Sequence, residues 1–382
     1  MASRKREWWT DSEIRIAGGD WLGPTPPRVR DALIKALYEA TEYPWIKTSY
    51  PETEGVPVFR KAIADYYYRR WNVEYDPGQI LPTCGSTPAY TMILDCYQNN
   101  LWKAGDEVIL TDPSFSSYFG RMAQIGLKVV PLPCKRERWH FDPEELRKVV
   151  TEKTKIMIIC TPNNPTGTVY TKEELAALED IAEENDLYVL SDEIYQEFVF
   201  DGKSAILPEQ FKGLKERTFI ANSISKIANA TGWRLGFIIA PEKLYPKILR
   251  YSLDIGSHRP PTFVQVAGAA VYKEPLDYVD EIRKEYEKRR NFFVPRINEI
   301  EGLSCPMFEG AFYAFVDIRP LGIKPAEFVN GLNKTEKVTI QNGESHGVQL
   351  CKGHVRVALR EPVSVLEEAC NKIERFVKTI KK

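Results

Sequence analysis

The chain has 382 residues, is 43% hydrophobic and 27% charged, and carries a formal net charge of −1. These values suit a soluble globular protein of two or three domains with a full core. The near-neutral balance argues against a nucleic-acid partner, and no apolar run reaches the ~18 residues of a membrane span.

The basic start Met1-Ala2-Ser3-Arg4-Lys5-Arg6 has no apolar stretch behind it. It reads as a frayed terminus, not a secretory signal. A helix is expected over 28–40. From about residue 85 to 255 helix and strand patterns alternate. The sequence predicts helices over 86–103 and 144–150 and strands over 107–110, 127–130, 155–160, 187–190, 218–221 and 237–240. Thr171 with Glu174 three residues on has the spacing of a capping box, so a helix starts there. Short apolar strands separated by helices imply an α/β domain with a mostly parallel buried sheet. Ligands of such sheets sit beyond the carboxyl ends of the strands. After about residue 280 the texture changes. A charged helix over 280–290 and beyond, a strand over 311–316, a helix over 325–332, a strand over 355–359 and an amphipathic helix over 363–382 read as a smaller α+β domain. The 28–40 helix is expected to pack with it.

Seven cysteines, at 84, 96, 134, 160, 305, 351 and 370, form no C-x-x-C pair. They read as free thiols in a reducing cytoplasm. The histidines at 140, 258, 346 and 354 show no metal-ligand spacing with them, so no zinc site is expected.

The densest chemistry lies in Ser223-Ile224-Ser225-Lys226-Ile227-Ala228-Asn229-Ala230-Thr231-Gly232-Trp233-Arg234-Leu235-Gly236. Two hydroxyls just before one amine, and a guanidinium eight residues after it, fall within twelve residues. A phosphate needs hydroxyls and a guanidinium, and a carbonyl cofactor needs an amine. Together they match the way pyridoxal 5'-phosphate is held, with the lysine bonded to its aldehyde as a Schiff base. Gly85-Ser86-Thr87-Pro88 offers a second half of a phosphate cradle. Proline suits a first helical position, which makes Thr87 the expected N-cap, and helix amides then face the anion. Asp192 and Tyr195 lie in Ser191-Asp192-Glu193-Ile194-Tyr195, just past a strand. Phe115, Asn164 and Arg356 follow or sit on other strands; Phe115 also fits a plain core residue, and the Asn-Pro-Thr-Gly run at 164–167 a plain turn.

These motifs, in this order over nearly the whole length, resemble the fold-type-I pyridoxal-phosphate enzymes, specifically the class I and II aminotransferases of the aspartate aminotransferase superfamily. The resemblance implies a PLP-transferase type I fold. It comprises an arm and first part of the small domain at 1–45, a large cofactor-binding domain at 46–284 and the rest of the small domain at 285–382. It implies that Lys226 forms the Schiff base and then moves the proton between substrate Cα and the cofactor. Ser223, Ser225, Arg234, Gly85, Ser86 and Thr87 would hold the phosphate. Asp192 would pair with the pyridine nitrogen, Tyr195 and Asn164 would donate to the phenolic oxygen, and Phe115 would stack on the ring. Glu193 reads as a solvated neighbour. Arg356 would bind the substrate carboxylate, with Arg360 as the rival on the same strand face. Gly19 would bring backbone to the substrate. Trp21 stands where relatives have proline, lining the pocket or reaching a partner subunit. Tyr50 matches the tyrosine that reaches the other subunit's phosphate, which implies a homodimer with shared sites.

The implied reaction is ping-pong transamination between an L-amino acid and a 2-oxo acid. A β-lyase, a decarboxylase or a cyclising or eliminating synthase on the same scaffold is the alternative. Arg259 and His258 fall where relatives place pocket residues, and either fits an acidic substrate side chain, solvent or a subunit interface. His346 stands where the family usually has phenylalanine, an indication of an altered pocket. His140 and His354 read as structural.

Overall fold

The computed structural model describes residues 13–19, 23–42, 51–256, 259–273 and 275–380. Trp21, Tyr50 and His258 lie outside the described residues. The strands are β1 (Ile14–Arg15), β2 (Ile80–Thr83), β3 (Glu107–Asp112), β4 (Lys128–Lys135), β5 (His140–Phe141), β6 (Thr154–Cys160), β7 (Tyr188–Asp192), β8 (Thr218–Ser223), β9 (Gly236–Ile239), β10 (Tyr313–Asp317), β11 (Val338–Thr339), β12 (Gln341–Asn342) and β13 (His354–Ala358). Eight of them form one sheet in the order β2-β9-β8-β7-β6-β3-β4-β5. The central neighbours β8, β7, β6, β3 and β4 run parallel, while β9 and the short β5 run against them.

The apolar runs explain this sheet. In β3 and β6, Val108, Leu110, Ile156 and Ile158 belong to one buried cluster. Their alternates Ile109, Met157 and Ile159 belong to another. A strand with both faces buried needs helices on both sides, which is the condition for a parallel sheet. Helix Lys172–Glu184 opens with the expected capping box: Thr171 Oγ1 accepts from Glu174 N at 3.1 Å and Glu174 answers to Thr171 N at 2.8 Å.

A three-stranded antiparallel sheet, β10-β13-β12, carries the C-terminal part of the chain. Helices Asp277–Asn298, Pro325–Glu336 and Val363–Ile380 supply residues to its core, including Phe293, Phe328 and Phe376.

Several expectations shift. The helix expected over 86–103 ends at Tyr97, and Asn99 then turns the chain with a positive φ. Trp102 comes back to donate Nε1 to Leu94 O at 2.9 Å. Helix Ser86–Tyr97 starts one residue after Gly85, its N-cap, so Thr87 is not the cap and Pro88 is the third helical residue. Helix Pro27–Glu42 packs chiefly on residues 262–272, with Arg28 bonded to Lys273 O and Pro275 O, instead of on the C-terminal sheet. Helix Pro57–Trp71, which has no clear apolar stripe in sequence, buries Phe59, Ile63, Tyr66, Tyr67 and Trp71.

Candidate active site

Thr83, Asp112, Cys160, Asp192 and Ser223 end strands at the same edge of the sheet. Beyond that edge lies a cavity of about 310 Å³. Its lining includes Gly19, Ser86, Thr87, Phe115, Asn164, Asp192, Tyr195, Ser225, Lys226, Arg234 and Arg356. Residues from both ends of the chain and from the middle therefore meet in one volume.

Lys226 sits on the short helix Ile224–Ile227, directly after β8. Its Nζ donates to Gly19 O at 2.5 Å. A Cβ at Gly19 would lie 2.6 Å from Tyr313 Oη, so only glycine lets the backbone come this close. Ser223 does not line the cavity. Its Oγ instead accepts from Ser225 N at 3.2 Å and caps the turn that presents Ser225 and Lys226.

Asp192 is buried at the end of β7. Its Oδ2 accepts from Tyr118 Oη at 2.7 Å and its Oδ1 from Ile194 N at 3.3 Å. Burial raises its pKa to about 6, against the opposing pull of Tyr118, the Ile194 amide and the Lys226 charge. Tyr118 escaped the sequence reading. It lies three residues after Phe115 at the start of helix Ser116–Ile125, and its ring meets the Phe115 ring edge-on at 5.4 Å. Tyr195 Oη and Tyr313 Oη lie 2.9 Å apart, and burial keeps the Tyr195 phenol protonated. Tyr313 also lines the cavity and also escaped the sequence reading, as did Thr231.

Arg356, on β13, donates Nη1 to Asn164 Oδ1 at 2.8 Å and Nη2 to Ala17 O at 3.1 Å. Its guanidinium lies over the Tyr313 ring, 4.4 Å from the centroid. Arginine only donates, so this bond fixes the Asn164 amide with its oxygen toward Arg356 and its NH2 group turned away. Arg360 is buried beside Gly18 and is not among the lining residues. Arg259 donates to Pro51 O at 3.2 Å and does not line the cavity either.

At the other end, Arg234 donates Nη1 to Thr231 O and Nη2 to Cys84 O, both at 2.9 Å. Gly85 lies beneath this guanidinium with φ +109°, and a Cβ there would sit 2.6 Å from Nη2. The first amides of helix Ser86–Tyr97 have no partner within the helix. With the Ser86, Thr87 and Ser225 hydroxyls and the Arg234 guanidinium they make a donor-rich pole suited to a phosphate dianion. The opposite pole has a carboxylate, an amine and a second guanidinium. A planar phosphate ester with a ring nitrogen and an aldehyde matches this donor set, pole by pole.

Glu193 corrects an expectation: it is fully buried, not solvated. It follows Asp192 by one residue and so turns to the other side of the strand end. Its carboxylate accepts from Tyr67 Oη at 2.7 Å and Ser191 Oγ at 2.8 Å. Burial raises its pKa to about 7, and the adjacent buried Glu209 is raised as well. The charge of one buried carboxylate disfavours ionisation of the other.

The chain matches the family "Aminotransferase class I and II" over residues 12–373. It is 36% identical to the Aromatic-amino-acid aminotransferase 2 of Thermococcus litoralis, covering 93% of this chain and 89% of that one. It is 34% identical to the aspartate aminotransferase of Bacillus subtilis, covering 96% and 93%. The solved aromatic aminotransferase from Pyrococcus horikoshii OT3 superposes with a TM-score of 0.89 at 33% identity, covering 97% of each chain. The chain belongs to the class I and II aminotransferases, a family of pyridoxal-phosphate enzymes, and it is a transaminase.

The carboxyl pair gives a pH prediction. Both folded pKa values lie above the unfolded one, so the folded chain holds extra protons, and stability falls as pH rises from about 4.5 toward 7. Glu209→Gln removes one titrating group and leaves Glu193 an amide donor. Its melting temperature should equal that of the parent near pH 5 and exceed it by about 2–4 °C at pH 8. Thermal melts at the two pH values check this, and a constant difference would rule it out.

Proposed function

We propose that this transaminase works by a ping-pong exchange between an L-amino acid and a 2-oxo acid, with pyridoxal 5'-phosphate held in the cavity and attached to Lys226. The observation that carries this reading is the meeting of Lys226, Asp192, Arg234 and Arg356 around one volume. The bound cofactor supplies an aldehyde carbon that takes up the amino group and a ring that draws electrons from the substrate Cα.

The chain's own residues divide the rest of the work. Arg234, Ser225, Ser86 and Thr87 grip the phosphate, and Gly85 and Ser223 shape the two turns that bring them there. Asp192 holds a proton at the ring nitrogen, and that positive N–H favours the carboxylate form of Asp192. Tyr118 orients Asp192 from behind. Tyr195 Oη and the outward NH2 of Asn164 would donate to the phenolic oxygen, and Phe115 would stack on the ring. Arg356 binds the substrate α-carboxylate with its fork. Lys226 Nζ, held by the Gly19 carbonyl, would take the proton from the substrate Cα. The Gly19 carbonyl keeps this amine oriented. Arg360, away from the lining, has no part in this scheme.

The division into an arm at 1–45, a large domain at 46–284 and a C-terminal domain at 285–382 belongs to the same reading. Its support is the separate location of the eight-stranded and three-stranded sheets. A homodimer with shared sites, in which Tyr50 reaches the other subunit's phosphate, is part of it too, and Trp21 lines the pocket or reaches the partner subunit. Helix Pro27–Glu42 supports this with exposed Ile34 and Tyr38, at 59% and 65%. The seven free cysteines support residence in the cytoplasm. Among the described residues no helix is long and apolar enough to cross a membrane. The relatives' names make aspartate and the aromatic amino acids the first donors to test.

Lys226→Ala should lower kcat by about 10³-fold or more, because it removes both the covalent anchor and the base. Glutamate formation from 2-oxoglutarate reads this out, and borohydride trapping in the parent should label position 226. Near-normal turnover in the variant would overturn the assignment. Analytical ultracentrifugation should give twice the chain mass, and a single-chain mass in an active preparation would sink the shared-site reading.

A further inference from the structure

Tyr313 lines the cavity but has no task in the proposed reaction. It opens β10, just after Ala311 turns the chain with a φ of +58°. Its Cα partner across the sheet is Ala358, and the partner of Arg356 is Phe315. Tyr313 and Arg356 are therefore diagonal neighbours on one face, which is why the guanidinium lies over the ring.

Tyr195 reaches the same spot from the large sheet. It lies three residues after Asp192, on the turn that follows β7. The two hydroxyl oxygens are 2.9 Å apart, and the rings meet edge-on with centroids 5.7 Å apart. Tyr313 is 2% exposed and Tyr195 4%, so bulk water does not compete for the bond between them. This contact joins the two sheets across 118 residues of chain.

Taken alone, the pair could share its proton either way. The count of protons decides the direction once a third oxygen is present. A tyrosine hydroxyl has one donor, and its lone pairs accept. If Tyr195 gives its proton to the phenolic oxygen of the cofactor, it can only accept from Tyr313. A hydroxyl that accepts a hydrogen bond becomes a stronger donor, by about 10–30% per bond.

We propose that Tyr313 is a positioning residue for the contact to the phenolic oxygen: its hydroxyl donates to Tyr195 Oη, which turns the Tyr195 proton toward the cofactor and strengthens the bond made there. This rests on the reading of Tyr195 as a donor to that oxygen. The Tyr313 ring has a separate use beneath Arg356, so the hydroxyl can be removed alone. Tyr313→Phe does this and keeps the ring.

The test is a spectrophotometric pH titration of the chain loaded with pyridoxal 5'-phosphate, without substrate. The visible band of the loaded chain changes as the proton held beside the phenolic oxygen leaves. Donors to that oxygen favour the deprotonated form and so lower the midpoint. The charged and titratable groups facing the pair are Arg356 on β13, Cys160 at the end of β6, Asp192 on β7 and Lys226 after β8. The substitutions leave all four in place. Tyr195→Phe should raise the midpoint by more than about one pH unit. Tyr313→Phe should raise it by about 0.3–0.5 pH unit. The double variant should titrate within about 0.1 pH unit of Tyr195→Phe, because Tyr313 acts through Tyr195. A packing role, or a direct electrostatic one, would add its shift in the double variant. Should Tyr313→Phe fail to fold, Tyr313→Leu, which also lacks the hydroxyl, takes its place in both chains. If Tyr195→Phe moves the midpoint and the change at 313 does not, or if the two shifts add, the inference on Tyr313 fails by itself. If Tyr195→Phe leaves the midpoint unmoved, the reading of Tyr195 falls and the inference falls with it.

Discussion

The bond between Arg356 and Asn164, at 2.8 Å, is the contact on which the shape of the cavity depends. One guanidinium joins the C-terminal sheet to the turn after β6, and through Ala17 O to the N-terminal segment. These three pieces are far apart in sequence, and the bond is largely shielded from water. A charge-assisted bond in such a place is stronger than its surface counterpart, and it is costly to leave half-made. The stacking of the guanidinium on Tyr313 adds a second restraint on the same group. The fork is thus held before any substrate arrives, and the Asn164 amide is oriented by the same contact.

Two adjacent carboxyls illustrate how a strand end separates roles. Asp192 turns into the cavity and meets Tyr118, while Glu193 turns away and meets Tyr67. From Glu193 the hydrogen bonds continue toward the turn that carries Ser225 and Lys226. Asn222 Nδ2 donates to Tyr67 Oη at 3.2 Å, Ser223 N donates to Asn222 Oδ1 at 2.7 Å, and Ser223 Oγ accepts from Ser225 N at 3.2 Å. The back of the sheet edge is therefore a polar network, and the turn bearing Lys226 rests on it. Buried networks of this kind favour one arrangement strongly, because every alternative leaves a donor or acceptor without a partner.

The strands and the chief site residues were legible because their signals are local. Apolar runs such as Ile156-Met157-Ile158-Ile159 need no distant partner to be read, and the 223–236 segment holds an amine, hydroxyls and a guanidinium in one stretch. What stayed hidden is tertiary. Helix Pro57–Trp71 mixes Tyr, Arg and Lys, and only the packing of Tyr66 and Tyr67 on the large sheet's face explains it. Thr87 looked like a cap because Pro88 follows it, yet Gly85 supplies the positive φ from which the helix starts. Glu193 looked solvated because a glutamate usually is. Its burial is compensated by Tyr67 and Ser191, one of which lies 126 residues away in the chain. Tyr118 and Tyr313 carry no motif of their own. Their roles come from which residue each faces.

The close approach at Gly19 brings these observations together. On the proposed reading Lys226 has to reach an aldehyde carbon and also the substrate Cα, so its amine needs a resting partner that does not hold it as tightly as a carboxylate would. A backbone carbonyl meets that need, because it accepts a hydrogen bond while carrying no net charge. The Lys226 charge acts on the Asp192 carboxylate through its field, and that carboxylate is committed to Tyr118 and the Ile194 amide. A carboxylate in contact with the amine would hold its proton more firmly and weaken it as a base. Among the described residues Asp192 is the one acid of the cavity lining, and the lysine is offered a neutral oxygen instead. Glycine at position 19 is the residue that lets this oxygen approach beneath Tyr313.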